Sequence, residues 1–282
     1  MNASPRKAAI TGHPVAHSRS PLIHGYWLKE LGIDGEYGRV DVAPEIAEEF
    51  YRNFSASGLI GANVTVPHKE TAAKVCDWLD GAAKAMGAAN TLWLDDTGRI
   101  CGANTDGLGF LGNLDQLAPG WDNSTGSALV LGAGGAARAI VWALLSRKFT
   151  RVHIVNRTVE KAQKIAEEFG AGTFAHGWDE LGTLLGETDL LVNSTSLGMT
   201  GKPPLEIDLA GLPKHALVND IVYAPLETDL LKAAALRGNP TVDGIGMLLH
   251  QAVPAFERWF GVRPQVTDEL RTLALKDLGV IS

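Results

Sequence analysis

The chain has 282 residues, of which 45% are apolar and 20% charged, so it can bury the core of one large domain or of two ordinary ones. Its formal net charge of −7 excludes a nucleic-acid binder that relies on a basic surface. The two cysteines, Cys76 and Cys101, exclude a disulfide-dense secreted scaffold and are too few and too far apart to suggest a zinc site.

Short apolar segments alternate with amphipathic helical segments along most of the chain, a pattern typical of α/β folds with mostly parallel sheets. In the first part, strands are predicted near residues 7–11, 36–42 and 59–66. Helices are predicted at residues 21–31, 44–55 and 68–79, with Ser20 capping the first of them. Residues 91–94 and 99–103 flank a turn-forming tetrad, which predicts a hairpin, and a helix follows at 108–117.

From Ser127 onwards the alternation becomes clearer. Strands are predicted near residues 128–131, 152–155, 173–175, 190–193, 216–220 and 241–242. Helices follow the first two of these strands, at 135–146 and at 159–169, the latter with Thr158 as its cap. Six strands are the number found in a doubly wound nucleotide-binding fold.

The C-terminal segment is helical again. An apolar stripe from Ile245 to Trp259 predicts a helix with a kink at Pro254, and a last helix begins after a cap at Thr267. The predicted fold class is therefore α/β, with two open α/β domains, the second a doubly wound Rossmann-type parallel sheet. We expect one domain to comprise residues 1–106 and 244–282, and the other residues 107–243.

Nothing in the sequence predicts export or membrane insertion. The N-terminal residues MNASPRKAAITG lack the apolar core of a signal peptide. The most apolar long stretch, residues 128–145, contains Arg138 and several glycines, which do not suit a membrane span. We therefore expect a cytoplasmic protein with no membrane or nucleic-acid partner.

A glycine-rich turn separates the first strand of the second domain from its helix. Gly132-Ala133-Gly134-Gly135-Ala136-Ala137 fits the pattern G-x-G-x-x-A of dinucleotide-binding folds. In that pattern Gly132 makes the tight turn, Gly134 lets a pyrophosphate approach the backbone, and the helix N-terminus faces the phosphates. A plain glycine turn is the alternative, but the strand before it and the helix after it favour a dinucleotide.

The end of the next strand favours NADP over NAD. An NAD-selective site usually has Asp or Glu here for the ribose 2′-hydroxyl, whereas this chain has Asn156-Arg157-Thr158. Arg157 and Lys161 are cations suited to a 2′-phosphate, and Thr158 lies at a helix N-terminus. A solvated surface charge is the alternative for Arg157, and a simple helix cap for Thr158.

Lys69 lies in the first turn of a predicted helix, where a cation opposes the helix dipole, and the preceding strand directs Asn63 and Thr65 to one face. Asp106 lies between a strand and a helix at the expected domain junction and is a candidate partner. A carboxylate beside Lys69 orients its ammonium for proton transfer, and with a nicotinamide cofactor the implied chemistry is hydride transfer. An exposed lysine and an N-cap aspartate are the alternatives.

Together with further motifs, these residues make the chain resemble the NADP-dependent shikimate dehydrogenases of bacteria over almost its whole length. The motifs are Ser18-Arg19-Ser20-Pro21, Asn63-Val64-Thr65-Val66-Pro67-His68-Lys69, Gly87-Ala88-Ala89-Asn90-Thr91, Asn104-Thr105-Asp106-Gly107, the turn at Gly132, Asn156-Arg157-Thr158, Asn193-Ser194-Thr195-Ser196, Asp220-Ile221-Val222-Tyr223, Asp243-Gly244 and His250-Gln251-Ala252. The resemblance implies reversible reduction of 3-dehydroshikimate to shikimate by NADPH in aromatic amino-acid biosynthesis, with residues 1–106 and 244–282 as the substrate-binding catalytic domain and 107–243 as the NADP-binding domain.

The resemblance also implies a role for each site residue. The hydroxyls of Ser18 and Ser20 hold the substrate carboxylate, Lys69 is catalytic and paired with Asp106, and Tyr223 lies near the substrate and the nicotinamide. The residues implied to bind the ring hydroxyls are Asn63, Thr65, Asn90, Asp106 and Gln251. The residues implied to border the cofactor are Gly132, Ala133, Gly134, Gly135, Ala136, Asn156, Arg157, Thr158, Lys161, Thr195, Ser196 and Gly244. No metal is implied.

Two other functions stay open at this stage. A quinate/shikimate dehydrogenase that uses NAD or NADP is the nearer one, and the Asn156-Arg157-Thr158 segment argues against its NAD form. A non-catalytic NADP-sensing protein is the other, and the Lys69 and Asp106 pair argues against it, because a sensor needs no proton-transfer groups. We expect a small-molecule substrate and a monomer or homodimer.

Overall fold

The computed structural model of the protein describes residues 5–123 and 126–281. The chain divides into two compact units. The first unit comprises Met1–Thr105 and Leu249–Ala274, and the second comprises Asp106–Leu248 and Leu275–Ser282.

The first unit is built on a mixed six-stranded sheet. Its elements up to the junction are β1 (Arg6–Gly12), α1 (Ser20–Glu30), β2 (Gly35–Asp41), α2 (Ala47–Arg52), β3 (Gly61–Val64), α3 (Lys69–Val75), β4 (Trp78–Leu79), α4 (Gly81–Met86), β5 (Thr91–Leu94) and β6 (Ile100–Ala103), with 3-10 turns at Pro44–Ile46 and Phe54–Ser57. The strand order is β2-β1-β3-β5-β6-β4, and β5 runs antiparallel to both β3 and β6. In this register Thr91 pairs with Asn63 and with Ala103, so the ends of β3 and β6 and the start of β5 share one edge.

The second unit is a doubly wound α/β layer. Its elements are α5 (Asp106–Leu117), β7 (Ser127–Leu131), α6 (Gly135–Ser146), β8 (Arg151–Val155), α7 (Val159–Phe169), β9 (Thr173–His176), α8 (Leu181–Leu184), β10 (Leu190–Asn193), β11 (Leu217–Asp220), α9 (Asp229–Arg237) and β12 (Thr241–Val242), with 3-10 turns at Trp178–Glu180 and Leu185–Glu187. The strands are parallel, in the order β12-β11-β10-β7-β8-β9. The predicted fold class is confirmed, because this order reverses beside the first strand as in Rossmann-type sheets. The chain ends with α10 (Ile245–His250), α11 (Ala252–Phe260) and α12 (Asp268–Asp277).

Each unit has its own apolar core. In the first unit the core lies around Tyr51, Phe54 and Leu92, all fully buried. Trp259 of α11 lies against Gly61 of β3, and its Nε1 donates to Leu92 O of the neighbouring strand β5 at 3.0 Å. An added Cβ on Gly61 would lie 1.8 Å from that indole nitrogen, so glycine is required there. In the second unit, strand residues of the sheet are buried on both faces, as expected for a parallel sheet covered by helices.

Four local predictions were wrong. The helix predicted at 68–79 ends at Val75, because Asp77 is hydrogen-bonded to Ile100 instead. The backbone N–H of Asp77 donates to Ile100 O at 2.8 Å, and the backbone N–H of Ile100 donates to Asp77 Oδ2 at 2.8 Å. Ser20 is the first residue of α1 and not its cap. The interruption predicted at Pro254 falls at Gln251, between α10 and α11. The 44–55 segment is also divided, since α2 ends before Asn53.

Candidate active site

Two hydroxyl groups are brought together in the turn between β1 and α1. The Oγ atoms of Ser18 and Ser20 are 3.3 Å apart, and the backbone N–H of Ser20 donates to Ser18 Oγ at 3.3 Å. Arg39 of β2 holds this turn by donating to the backbone O of Ser18 at 2.8 Å. Because Ser20 is also the first residue of α1, a carboxylate at this turn would meet both hydroxyls and the positive end of the helix dipole.

Tyr37 of β2 fixes the side chain of Asn63 in β3. Its hydroxyl donates to Asn63 Oδ1 at 2.6 Å, while Asn63 Nδ2 donates to Asn90 O at 3.3 Å. Burial raises the pKa of Tyr37 well above its ordinary value, against an opposing hydrogen bond with Ser20, so the hydroxyl keeps its proton. The acceptor side of the Asn63 amide is therefore turned towards Tyr37, and its donor side towards the sheet edge.

An uncharged ring lies behind Tyr37. The imidazole of His24 stacks on Tyr37 with 4.1 Å between ring centroids and 4° between ring planes. Burial lowers the pKa of His24 to about 3, so the ring is neutral at physiological pH. The candidate residues Tyr37 and Asn63 of the first unit are thus supported by aromatic packing that adds no charge.

Asn90 ties the end of β6 to the start of β5. Its Oδ1 accepts the backbone N–H of Thr105 at 2.9 Å and the hydroxyl of Thr91 at 3.0 Å, and its Nδ2 donates to Thr105 Oγ1 at 3.1 Å. Asn90 and Thr105 are both buried. Since Asp106 is the next residue, Asn90 fixes the backbone immediately before it.

Lys69 is half-buried and is the first residue of α3. The buried ring of His68, one residue earlier, has its Nε2 2.7 Å from Val42 O and donates there. The backbone O of Lys69 accepts the N–H of Ala89 at 2.9 Å. These contacts fix the backbone of Lys69 at the same sheet edge as Asn63.

Two further predicted substrate residues lie in the same unit. The backbone N–H of Thr65 donates to Thr11 O at 2.9 Å, which continues the strand pairing one residue beyond β3. Gln251 is half-buried and separates α10 from α11.

In the second unit, the glycine turn after β7 fits the phosphates of a dinucleotide. Gly132 has a φ of +107°, and an added Cβ would lie 2.8 Å from Ser194 Oγ. Gly134 and Gly135 are exposed, and within the described structure a Cβ on either would meet nothing within 4 Å. Gly134 is the N-cap of α6, and no described side chain caps that helix, so its first amides suit a pyrophosphate.

The segment after β8 is exposed and carries positive charge. Arg157, Thr158 and Lys161 are exposed, and Asn156 Nδ2 closes the turn by donating to the backbone O of Thr158 at 2.8 Å. Thr158 occupies the predicted N-cap position of α7. In the part of the chain that the structure describes, however, its side chain makes no capping hydrogen bond. A phosphate here would meet cations and a helix N-terminus.

The loop after β10 reaches the same edge, because β7 and β10 are parallel neighbours. The hydroxyl of Thr195 donates to Asn193 Oδ1 at 2.7 Å and accepts the N–H of Leu197 at 3.0 Å. Its methyl group faces the glycine turn, since a Cβ on Gly132 would lie 3.0 Å from Thr195 Cγ2. Ser196 is exposed.

The loops after β11 and β12 complete this edge. Tyr223 is half-buried and lies three residues beyond the end of β11. Gly244 follows β12, and an added Cβ would lie 2.2 Å from the backbone O of Ile221. Glycine at 244 is therefore what lets the two loops approach each other.

The structure gathers most predicted site residues into one group in each unit. The group in the first unit is Ser18, Ser20, Asn63, Thr65, Lys69 and Asn90, with Gln251 on the returning segment. The group at the carboxyl edge of the second unit is Gly132, Ala133, Gly134, Gly135, Ala136, Asn156, Arg157, Thr158, Lys161, Thr195, Ser196, Tyr223 and Gly244. Asp106 opens α5, so Lys69 and Asp106 belong to different units.

Sequence reasoning missed Tyr37 and Asp220. Tyr37 lies in an alternating strand, and only the pairing of β1 with both β2 and β3 brings it near Asn63. Asp220 is a carboxylate at the end of a fully buried strand. That placement is itself a signal, because an isolated buried charge is costly and must have partners.

Two features that would indicate a different function are absent from the described residues. Between 5 and 123 and between 126 and 281, no helix is long and apolar enough to cross a membrane. The same residues hold no cluster of three or more His, Cys, Asp or Glu side chains placed to bind a metal ion. Burial raises the pKa of the Cys76 thiol to about 12, which suits a structural residue better than a reactive one.

Sequence models of one enzyme family match three parts of the chain. Residues 10–92 match the shikimate dehydrogenase substrate-binding domain, residues 117–199 match shikimate/quinate 5-dehydrogenase, and residues 244–268 match the shikimate 5′-dehydrogenase C-terminal domain. A shikimate dehydrogenase (NADP+) of Brucella melitensis is 56% identical over 276 residues, which cover 97% of this chain and 95% of the relative.

Solved structures of a shikimate dehydrogenase and of a quinate dehydrogenase are similar to this chain over almost its whole length. The Thermus thermophilus shikimate 5-dehydrogenase, in complex with NADP(H) and shikimate, is 34% identical with a TM-score of 0.83, covering 96% of this chain and 99% of that one. The quinate dehydrogenase of Corynebacterium glutamicum, in complex with NAD, is 29% identical with a TM-score of 0.87, covering 96% and 99%.

Proposed function

The chain belongs to the shikimate dehydrogenase family, and we propose that it catalyses the reversible NADPH-dependent reduction of 3-dehydroshikimate to shikimate. The observation that carries the proposal is the 56% identity over 97% of the chain to an NADP+ shikimate dehydrogenase. The geometry of each unit supports it independently. We further propose that the enzyme acts in the cytoplasm, as a monomer or homodimer, within aromatic amino-acid biosynthesis.

We assign substrate binding to the first unit. A shikimate-like ring carries one carboxylate and several hydroxyls, so it needs an anion site beside neutral hydrogen-bonding groups. Ser18 and Ser20 supply paired hydroxyls at a helix N-terminus for the carboxylate. Asn63, Thr65, Asn90 and Gln251, with Asp106, are assigned to the ring hydroxyls. The Tyr37 contact supports this assignment for Asn63, because it fixes the orientation of the amide at the sheet edge.

We assign NADP to the second unit. The turn from Gly132 to Ala136 would hold the pyrophosphate, and Asn156, Arg157, Thr158 and Lys161 would hold the 2′-phosphate. Arg157 is the main determinant, since its planar guanidinium matches a phosphate and its neighbours in the chain, Asn156 and Thr158, carry no charge that would repel one. Thr195, Ser196 and Gly244 would border the nicotinamide side.

The proton in the reaction is assigned to Lys69. When bound, NADPH supplies the hydride. The Lys69 ammonium donates a proton to the carbonyl oxygen that is being reduced, and the amine takes it back in the reverse direction. Asp106 orients that ammonium, and Tyr223 is assigned to the substrate side of the nicotinamide.

A quinate/shikimate dehydrogenase using NAD or NADP is the second candidate. It is favoured by the fold likeness to the quinate dehydrogenase in complex with NAD. Arg157 in place of a carboxylate argues against NAD preference. Quinate carries an extra hydroxyl on the carbon that bears its carboxylate, so room beside Ser18 would decide between the two substrates.

One assay tests these assignments together. Nicotinamide absorbance is followed with shikimate or quinate as substrate and NADP or NAD as oxidant, in all four combinations. We expect turnover to be fastest with shikimate and NADP. Comparable rates with quinate and NAD would favour the second candidate. No turnover in any combination, with NADP still bound, would favour a non-catalytic NADP-sensing protein.

A further inference from the structure

A buried carboxylate with no role in the proposed reaction lies at the end of β11. Asp220 is 0% exposed. Its Oδ1 accepts hydrogen bonds from Asn193 Nδ2 at 2.9 Å and from the backbone N–H of Val222 at 3.0 Å, and its Oδ2 accepts one from Thr228 Oγ1 at 2.7 Å. Because a charge is stable inside a protein only with such partners, the partners show what Asp220 holds in place.

The first set of hydrogen bonds connects Asp220 to the loop after β10. Asn193 Nδ2 donates to Asp220, which turns Asn193 Oδ1 the other way. That oxygen accepts both the backbone N–H of Thr195 at 3.0 Å and its hydroxyl at 2.7 Å. Thr195 Oγ1 in turn accepts the N–H of Leu197 at 3.0 Å. If Asn193 were turned over, its NH2 group would face the N–H of Thr195, so the carboxylate determines the conformation of this loop.

The second set of hydrogen bonds connects Asp220 to the loop after β11. Asp220 accepts the backbone N–H of Val222, the residue before Tyr223. It also accepts the hydroxyl of Thr228, whose Oγ1 accepts the N–H of Leu231 at 3.3 Å and so caps α9. One carboxylate is thereby bonded to both ends of the segment that carries Tyr223.

We propose that Asp220 is a positioning residue for the dinucleotide, which fixes the loops that carry Thr195 and Tyr223 in the conformation that NADP binds. The inference rests on the proposed function, since it concerns the cofactor half of the same site. It assigns Asp220 no contact with NADP. The carboxylate acts only through Asn193, Val222 and Thr228.

The test measures the dissociation constant for NADP by calorimetry, and for shikimate alongside it. Asp220→Leu keeps the branched shape of the side chain, with larger methyl groups in place of both acceptors, and we expect the dissociation constant for NADP to rise about tenfold or more. Thr228→Val removes the hydroxyl at constant shape, and with it one donor to Asp220 and the side-chain cap of α9, and a rise of about threefold is expected. The dissociation constant for shikimate stays at the wild-type value in both variants, because the first unit is assigned to that ligand.

Two further variants separate positioning from general destabilisation. Asp220→Asn is the conservative rescue: its Oδ1 can accept from Asn193 and Val222, and its Nδ2 can donate to Thr228, so wild-type NADP affinity is expected. Asn239→Ala is the matched control, since Asn239 is a buried amide that donates to Pro213 O at 2.7 Å and Ala216 O at 3.0 Å. This control should lower Tm without changing NADP affinity.

Each outcome decides the matter. A folded Asp220→Leu protein that binds NADP as tightly as the wild type overturns the inference. If Asp220→Leu does not fold, unchanged NADP affinity in Thr228→Val overturns it instead. An equal loss of affinity in Asn239→Ala reduces Asp220 to a general stability role. A wild-type protein that fails to bind NADP overturns the proposed function and, with it, the inference.

Discussion

The two candidate half-sites are built in different ways. In the first unit the groups proposed to bind the ligand are side chains, such as the hydroxyls of Ser18 and Ser20 and the amide of Asn63, and other side chains hold them in place. In the second unit the glycine turn offers backbone amides, and side chains such as Asn193 mainly shape the loops.

The difference fits the ligands proposed for the two units. A hydroxylated ring presents small neutral groups in fixed directions, so each partner must be an oriented donor or acceptor. A dinucleotide presents spread negative charge, which backbone N–H groups and a few cations satisfy with less directional demand. We therefore expect loss of single neutral contacts to matter in the first unit and loss of charge to matter in the second.

The largest expected effect is a loss of catalysis with binding of both ligands retained. Lys69→Ala should fold and bind shikimate but lose about 10²–10⁴ in kcat, the usual scale for a general acid or base. Steady-state kinetics with both substrates varied measure it. Lys74→Ala, on the last turn of the same helix, is the matched control. Near-normal turnover of Lys69→Ala would remove the lysine from the mechanism.

The next effect concerns charge in the second unit. Arg157→Ala should raise the dissociation constant for NADP by about 10- to 100-fold, the loss expected for a charge-assisted hydrogen bond, and change that for NAD little. Calorimetric titrations with each dinucleotide measure the two constants. Lys164→Ala on the exposed side of α7 is the control. Equal losses for NADP and NAD would refute the phosphate role.

A pH effect distinguishes the buried carboxylate of the second unit from the neutral network of the first. Burial raises the pKa of Asp220 to about 6 from 3.8, against opposing hydrogen bonds led by that of Thr228. At a pH between 3.8 and about 6, unfolding therefore releases a proton from Asp220. As the pH rises through this range, the contribution of Asp220 to the free energy of unfolding falls by about 3 kcal/mol.

Denaturant titrations of wild type and Asp220→Asn at pH 5 and pH 7.5 check this sign. Roughly half of the effect lies between those two pH values, so the stability of the wild type relative to the variant should fall by about 1.5 kcal/mol. A difference that stays constant with pH would mean that Asp220 titrates at its ordinary pKa in the folded protein.

The smallest effect tests the first unit. Tyr37→Phe removes the hydroxyl that orients Asn63, and KM for shikimate should rise about 2- to 10-fold with KM for NADP unchanged, the scale of one neutral hydrogen bond. Tyr26→Phe is the control, because its hydroxyl lies 3.3 Å from Thr267 Oγ1, in the same unit. Equal effects in the two variants would contradict a specific role for Tyr37.

Prediction succeeded best where local signals agree with the fold. The helix at 135–146 and the strand at 190–193 have the predicted bounds, because a glycine turn marks the first and a buried apolar run marks the second. It failed at 76–79, where apolar residues at helical spacing form an extended segment paired with β6. Pairing with a distant strand outweighs local helix preference there.

The sequence alone determined the fold class, the kind of cofactor and the family. Hydrophobic periodicity, the spacing of glycines and short sequence motifs carry this information, and each is a property of residues that are close together in the chain. The tertiary structure alone decided how the amides of Asn63 and Asn193 are turned. The partners that orient them, Tyr37 and Asp220, lie 26 and 27 residues away in the chain and on other strands. Amide orientation depends on contacts made across the sheet, and only strand order creates those contacts.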